Sequence, residues 1–446
     1  MPGSIFQIAR TGAVATRASL ELVAQNIANA SNPDYSRRSL EVRELVGVAP
    51  GQRGVLNGVR IEGIARASTE LVQQQARTSA AELARAEAEL QGLRDTELAL
   101  EQSQLFEGLV EFEAVLTQLE GNPLEPALRT NALETARQLA STFQFADTTL
   151  GIARRQVQDS AAVSLDEANL QAAELARINQ SLADARPGTI GEAALLDARD
   201  AALPDLSQQV GITAIFDERG LVNVRLNDGS GSPGPLLVDG LSTNTITSTT
   251  NANGTLTFEA SGAAVIPASG ALAGQAAALE AQADFQAQLD TIANEVITRS
   301  NATQGSGADQ DGNPGQPLFS GTSASTIALA LTSGRQLATA PAGSPAGSTN
   351  ASNLAAFAAS LGADDGPIAS TDTLLLSLSS RISAQDVTRT GLAAIAQNAE
   401  ATLLSETGVD LDTEAANLVR LQQAFEANGR VLQVATEIFD TLLAIR

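Results

Sequence analysis

The two ends of this 446-residue chain carry the same apolar heptad. Near the start, Phe6, Ala9, Ala13, Thr16, Leu20, Val23, Ile27 and Ala30 step alternately by three and four residues, which keeps one narrow stripe on one side of a helix. Near the end, Leu418, Leu421, Phe425, Asn428, Leu432, Ala435, Phe439 and Leu442 repeat that stepping. Each stripe needs a partner helix to cover it. One reading makes both ends ordinary amphipathic elements of a single intramolecular bundle. The other makes them assembly surfaces that order among neighbouring copies. The scarcity of large side chains favours the second: burying Phe6, Leu20, Val23 and Ile27 returns only about 2 kcal/mol each, while fixing each backbone residue costs about 1–2 kcal/mol. Asn428 replaces an apolar residue on the seam, either to fix register at some cost in stability or because that edge is wet.

Composition removes most chemistries. With no Cys there are no disulfides, thiolate metal sites or cysteine nucleophiles, and with no His the usual general base and the commonest transition-metal ligand are missing. Carboxylate-only glycoside hydrolysis passes that filter, but such sites bind sugar on aromatic platforms, and this chain has one Tyr and no Trp. No catalytic residue, metal ligand or cofactor is therefore assigned. A net charge of -24, from 51 acids against 27 bases, repels phosphate backbones and anionic lipid, so neither nucleic acid nor membrane is an expected partner. No run of about 18 apolar residues is present to cross a bilayer, and residues 1–30 lack the pattern of a cleaved signal peptide.

The expected fold is mainly α with an inserted β domain. Pro33 biases Asn32 out of the helical region and ends the first helix. Ser39 to Val46 and Val55 to Ile64 alternate apolar residues between glycines and read as a small hairpin. Residues 68–102 and 127–185 have long-helix composition, broken by Gly121-Asn122-Pro123. Near Pro204 the character changes to β-branched runs: Val210 to Phe216, Leu221 to Leu226, Leu236 to Val238, Thr243 to Thr250 and Thr255 to Phe258. Asp217-Glu218-Arg219-Gly220 reads as a hairpin connection with Gly220 at positive φ. Helix returns over 271–300, residues 305–353 look loop-like with one short strand near Thr326 to Leu331, and helices resume to the end. The predicted domains are 1–34 with 409–446 as paired terminal coiled-coil helices, 35–204 with 271–408 as a long-helix middle domain, and 205–270 as a small outer β domain. Nesting of this kind brings both ends out on one side.

Asp309-Gln310-Asp311-Gly312-Asn313 starts like a calcium loop, but Pro314 stands where Gly is needed and Ser320 where a bidentate Glu is needed, so a polar turn is the better account. The glycines of 47–58 and 229–234 lack the Lys of a phosphate-binding loop and read as turns.

Asn26-Ile27-Ala28-Asn29, followed by Asn32-Pro33-Asp34-Tyr35-Ser36-Arg37, resembles the N-terminal signature of bacterial flagellar axial proteins, with Asn26, Asn29, Pro33 and Tyr35 as its marks and Asp34 where many relatives have Gly. Gly408-Val409-Asp410-Leu411-Asp412, then Glu414, Leu418, Gln422, Asn428 and the closing Ile445-Arg446, resembles the hook-associated protein 1 family. Internal matches point the same way: Pro126 with Arg129, Leu195 to Asp200, and Leu272-Ala273-Gly274. The resemblance implies an extracellular structural protein, exported unfolded by the flagellar type III apparatus without a cleaved signal, that polymerises between hook and filament. Its implied partners are other copies of itself, the hook protein, the second hook-associated junction protein and an export chaperone. Another axial protein, or a secreted carboxylate hydrolase, are the rival readings.

Overall fold

The computed structural model describes residues 2–47, 55–229 and 233–444. The chain runs α1 (Pro2–Ala28), β1 (Arg38–Gly47), β2 (Val55–Arg66), α2 (Glu70–Ser103), α3 (Leu105–Glu120), α4 (Pro126–Asp184) and α5 (Ile190–Gln209). Short strands follow: β3 (Ile212–Phe216), β4 (Val222–Asn227), β5 (Pro233–Asp239), β6 (Ser242–Thr243), β7 (Ile246–Thr250), β8 (Leu256–Ala260) and β9 (Ala263–Val265). Then come α6 (Ala271–Gly305), the two-residue strands β10 (Gly307–Ala308), β11 (Phe319–Ser320), β12 (Ala328–Leu329) and β13 (Ala340–Pro341), and α7 (Ser352–Leu361), α8 (Pro367–Thr407) and α9 (Leu411–Ala444). The fold is mainly α with small sheets, as expected. β1 and β2 form the expected hairpin, whose connection at 48–54, with Pro50, Gly51 and Gly54, lies outside the described residues, as does the stretch 230–232 between Gly229 and Gly234.

The 59-residue α4 is the spine. Pro126 starts it where the missing N–H costs nothing, and Ala136, Phe143, Ala146, Leu150, Ala153, Val157, Ala161, Ala168 and Ala172 then recur at helical spacing along its buried side. The small residues let α2 and α6 approach closely. Its first half packs with α3, α6 and α7 around Phe112, whose ring meets Phe319 and Phe357 edge-on at 6.2 and 5.8 Å. Its second half lies against the antiparallel sheet β3-β4-β5-β6, where Leu175 and Leu182 meet Val222, Val224 and Leu237. The separate sheet β7-β8-β9 adds Ile246, Phe258 and Val265 to that core.

Helix-borne asparagines clip strands to the bundle. Asn179 Nδ2 donates to the Val222 carbonyl at 2.8 Å while its Oδ1 accepts from Val222 N–H at 2.9 Å. Asn169 pairs with Ile246 in the same way, and so does Asn301 with Phe319. Each primary amide presents one donor and one acceptor side by side, so it completes an edge residue as a neighbouring strand would.

Two expectations are corrected, at Pro204 and over 305–353, and one helix is added. The β region does not begin at Pro204: α5 continues through that residue to Gln209, because Leu203 and Leu206 are buried against the sheet and one missing backbone bond is outweighed. The helix expected over 68–102 ends at Ser103, and the stretch from there to the Gly121 break is a separate helix, α3, set off by Gln104 at φ 54°, ψ 36° so that Leu105 and Leu109 turn into the core. Residues 305–353 are poor in regular structure, yet Leu318, Phe319, Ile327, Leu331 and Leu337 are core residues. Buried Arg129 holds this segment, donating to the carbonyls of Pro123, Gly334 and Leu337 and to Thr339 Oγ1 at 2.5–3.0 Å. The 309–313 stretch is a polar turn: Asp309 Oδ1 accepts from the backbone N–H of Asp311 and Asn313, and Asp311 pairs with Arg335. The Asp217 to Gly220 connection joins β3 to β4, with Gly220 at φ 79°.

Arg129→Ala would leave several buried carbonyls without a donor at about 1–3 kcal/mol each. The expected outcome in urea unfolding is a loss of about 4 kcal/mol or more, with protease cleavage shifting into 320–345. Cleavage unchanged from the parent would remove Arg129 from this role.

Candidate assembly interface

The signature residues build a joint between the terminal helices and the body. Asn26, buried at the end of α1, donates through Nδ2 to the Arg38 carbonyl at 2.9 Å. Its Oδ1 accepts from Arg38 N–H at 3.0 Å and from the Tyr35 hydroxyl at 2.8 Å. This is the same amide clip, here holding the start of the hairpin to the helix. Asn32 Oδ1 accepts from Asp34 N–H at 3.1 Å, so exposed Pro33 sits in an Asx-type turn that folds Tyr35 back under α1. Asn29 only bonds its own helix, at the Gln25 carbonyl.

Arg38 and Arg66 face each other across the base of the hairpin. Two guanidinium groups in that position repel unless an anion divides them. The anions come from α5: Asp197 takes Arg38 at 2.5 Å and Arg66 at 2.7 Å, and Asp200 takes Arg66 at 2.9 Å. All four side chains are nearly out of water, and Arg199 adds a further bond to Asp200 at 2.6 Å while stacking on Phe216 at 4.4 Å. The hairpin closes onto the loop before α5, where Ile64 N–H donates to the Gly188 carbonyl and a Cβ on Gly63 would lie 2.8 Å from Gly188 Cα. Only glycine fits there. On the other side, Arg37 N–H donates to the Thr407 carbonyl and its side chain pairs with buried Glu414 of α9 at 2.6 Å. Asp410 caps α9 by accepting from Thr413 N–H at 2.7 Å, which holds its carboxyl below the usual range.

From this joint α1 and α9 run side by side and antiparallel: Glu414 lies at the Asn26 end, while Asn428 meets Gly12 and Thr16 farther along. A Cβ on Gly12 would lie 2.9 Å from Asn428 Oδ1, so the polar seam residue fills a gap that glycine leaves. Ala9, Val23 and Ala435 are buried. Leu20, Leu418, Leu421, Asn428 and Leu432 are half-buried, whereas Phe6, Ile27, Phe425 and Phe439 remain exposed. The Leu442 side chain, and Ile445 and Arg446, lie outside the described residues. A second stripe on α9 was not read from the sequence: Ala427, Val431, Val434 and Ile438 also step by four, three and four, and the last three are 43, 53 and 43% exposed.

Sequence reasoning quoted Arg37, Glu414 and the 195–200 run without seeing what they do. The signal was present as two acids three residues apart on one helix and an Arg at each end of a hairpin, but nothing local says that these meet.

Tyr35 is the chain's one tyrosine, so its titration reads the joint directly. Burial raises its pKa above 10.0, Arg38 pulls the other way, and Asp197 and Glu414 add to the rise. The folded protein therefore holds the phenolic proton more tightly than the unfolded chain, giving stability that is complete below pH 10 and lost as pH rises through the folded value. Ultraviolet titration is expected to show a midpoint above that of the denatured chain, and Tyr35→Phe to remove this part of the alkaline destabilisation. Asp197→Asn, which leaves Arg38 and Arg66 without their shared anion, should cost about 3 kcal/mol and speed amide exchange through β1 and β2 first.

Known protein families and relatives match this chain. Residues 93–319, just over half of the chain, match the model of the flagellar hook-associated protein FlgK helical domain, and residues 401–445 match that of the flagellar basal body rod FlgEFG protein C-terminal region. The chain is 26% identical over 332 residues to flagellar hook-associated protein 1 of Salmonella typhimurium, covering 71% of this chain and 59% of that protein. It is 25% identical over 232 residues to the Escherichia coli protein of the same name, covering 51% of this chain and 42% of that one. It thus spans about half the length of these relatives. The solved flagellar hook junction protein FlgK from Burkholderia pseudomallei aligns with a TM-score of 0.48 at 22% identity, over 55% of this chain and 46% of that one. With its helical core matched across more than half its length, the chain belongs to the FlgK family of flagellar hook-associated proteins.

Proposed function

We propose that this chain is a structural, non-catalytic protein of the bacterial flagellum, forming the junction between hook and filament by polymerising through α1 and α9. The observation that carries this reading is the second apolar stripe on α9. One stripe faces α1, and Val431, Val434 and Ile438 form another that the molecule leaves in water, beside exposed Phe6, Phe425 and Phe439. A row of apolar side chains left in water along two helices calls for a further apolar surface to cover it. In the assembled state α1 and α9 form the inner tube, the bundle of α2 to α8 a middle layer and the strands of 212–265 an outward knob. The seam residues Leu20, Val23, Leu418, Leu421 and Leu432 hold the pair together, while Phe6, Ile27, Phe425 and Phe439 meet other copies.

The partners are other copies of the chain, the hook protein on one side and the second hook-associated junction protein on the other, after delivery by an export chaperone to the extracellular end of the organelle. Other axial proteins carry the C-terminal region matched by 401–445, so that match alone would allow a rod or hook role. The helical match over 93–319 favours the junction.

The test uses cells lacking the chain, complemented with variants and scored for protein retained on isolated hooks against protein shed into the medium. Val434→Asp is expected to be exported and shed, with loss of filaments and an unchanged melting transition of the purified monomer. Retention of Val434→Asp at the parent level would refute the proposed surface.

A further inference from the structure

Where the signature turn meets the body, a groove of about 430 Å³ lies between α2, α5 and α8. Its floor is made of small apolar side chains, among them Ala76, Ala80, Ala84 and Ala393, with exposed Leu404 at one end. Its rim is acidic: Asp34, Glu87, Asp205 and Glu400 are exposed and make no ion pair among the described residues. Arg77 also lines the groove, but its guanidinium is taken by Glu70 at 2.7 Å. Burial, and then the neighbouring Asp34 charge, raise the Asp205 carboxyl above its usual range, as expected for acids that share a site without a counter-ion. An apolar floor with an unneutralised acidic rim fits an amphipathic helix carrying basic residues.

This chain carries one such helix. Among the described residues α1 is the only α-helix whose basic residues outnumber its acids, with Arg10 and Arg17 against Glu21. Phe6, Arg10, Val14 and Arg17, spaced by four, four and three, share one exposed face. Among the described residues Arg10 has no ion pair, and Arg17 is held only by an exposed bridge to Glu21, a kind worth little. A molecule does not fill its own groove, because its α1 packs on α9, β1 and β2 and Arg10 stands about 24 Å of helix away from Asn26 at the joint.

We propose that the groove receives the basic, apolar face of α1 from a second copy of the chain, the next one along the assembly. The inference rests on the self-assembly reading given above and adds which surfaces meet. The contact joins two different patches, so it repeats from copy to copy without closing on itself as a two-fold pair does. It also places the positive helix of one subunit against the acid-rimmed groove of the next, which sets the direction of stacking.

The test uses charge reversal in the full chain, scored as hook-retained against shed protein. Asp205→Arg with Glu400→Arg is expected to lower retention about tenfold, with monomer melting unchanged, and Arg10→Glu with Arg17→Glu to do the same. Combining all four changes is expected to restore retention to within about threefold of the parent. Parent-level retention of the groove variant, or a combined variant no better than either half, overturns the inference. If the parent is retained and Val434→Asp is shed while the groove variant stays, only the groove contact fails. If the parent itself is not retained on hooks, the assembly reading and the groove contact fail together.

Discussion

The molecule turns on a nearly dry ionic joint. Arg38 and Arg66 are cross-strand partners at the base of the hairpin, and the two carboxylates of Asp197 and Asp200 that separate them come from α5. Such a set has no net advantage over an apolar contact of the same volume, but once desolvated it is costly to break and tolerates only one geometry. That suits a position where the chain passes from body to terminal helices twice, through the signature turn after α1 and through the turn before α9. Asn26, Tyr35 and Arg37 tie both passages to the same hairpin.

The body is organised by another repeated device. Four asparagines on helices, Asn26, Asn169, Asn179 and Asn301, each give an amide to both backbone groups of one residue in or next to a strand. Sheets this small have exposed backbone edges that need partners. Clipping them to long helices meets that need without wide strands. Alanine-rich helix faces serve the same end, since α2, α4 and α6 approach closely enough to bury their few large side chains together.

The terminal pair is built on different terms. α1 and α9 bury Ala9, Val23 and Ala435 between them, yet leave Phe6, Ile27, Phe425, Val431, Val434, Ile438 and Phe439 exposed. A helix pair attached to a rigid body by a fixed joint, and incomplete on its outer faces, is suited to insertion among other such pairs. Its basic α1 and its acidic groove give that insertion a direction.

Much of this was legible in the chain. The heptads marked the two terminal helices, because periodicity is a property of adjacent residues, but not which positions the pair buries: Phe6, Ile27, Phe425 and Phe439 stay exposed. Composition placed the long helices, the β-branched stretch and the polar turn at Asp309, and the signature residues identified the turn after α1. What tertiary structure alone decided were meetings between residues far apart: Arg37 with Glu414, Arg38 and Arg66 with Asp197, Arg129 with the carbonyls of 334–337. The same holds for the irregular 305–353 segment, whose core residues lack periodicity, and for Pro204, which helix packing absorbed. The second stripe on α9 was written in the sequence, but only the packing showed which of its two stripes is used within the molecule and which is left over. Local spacing dictates what a helix could bury; three-dimensional contact dictates what it does bury.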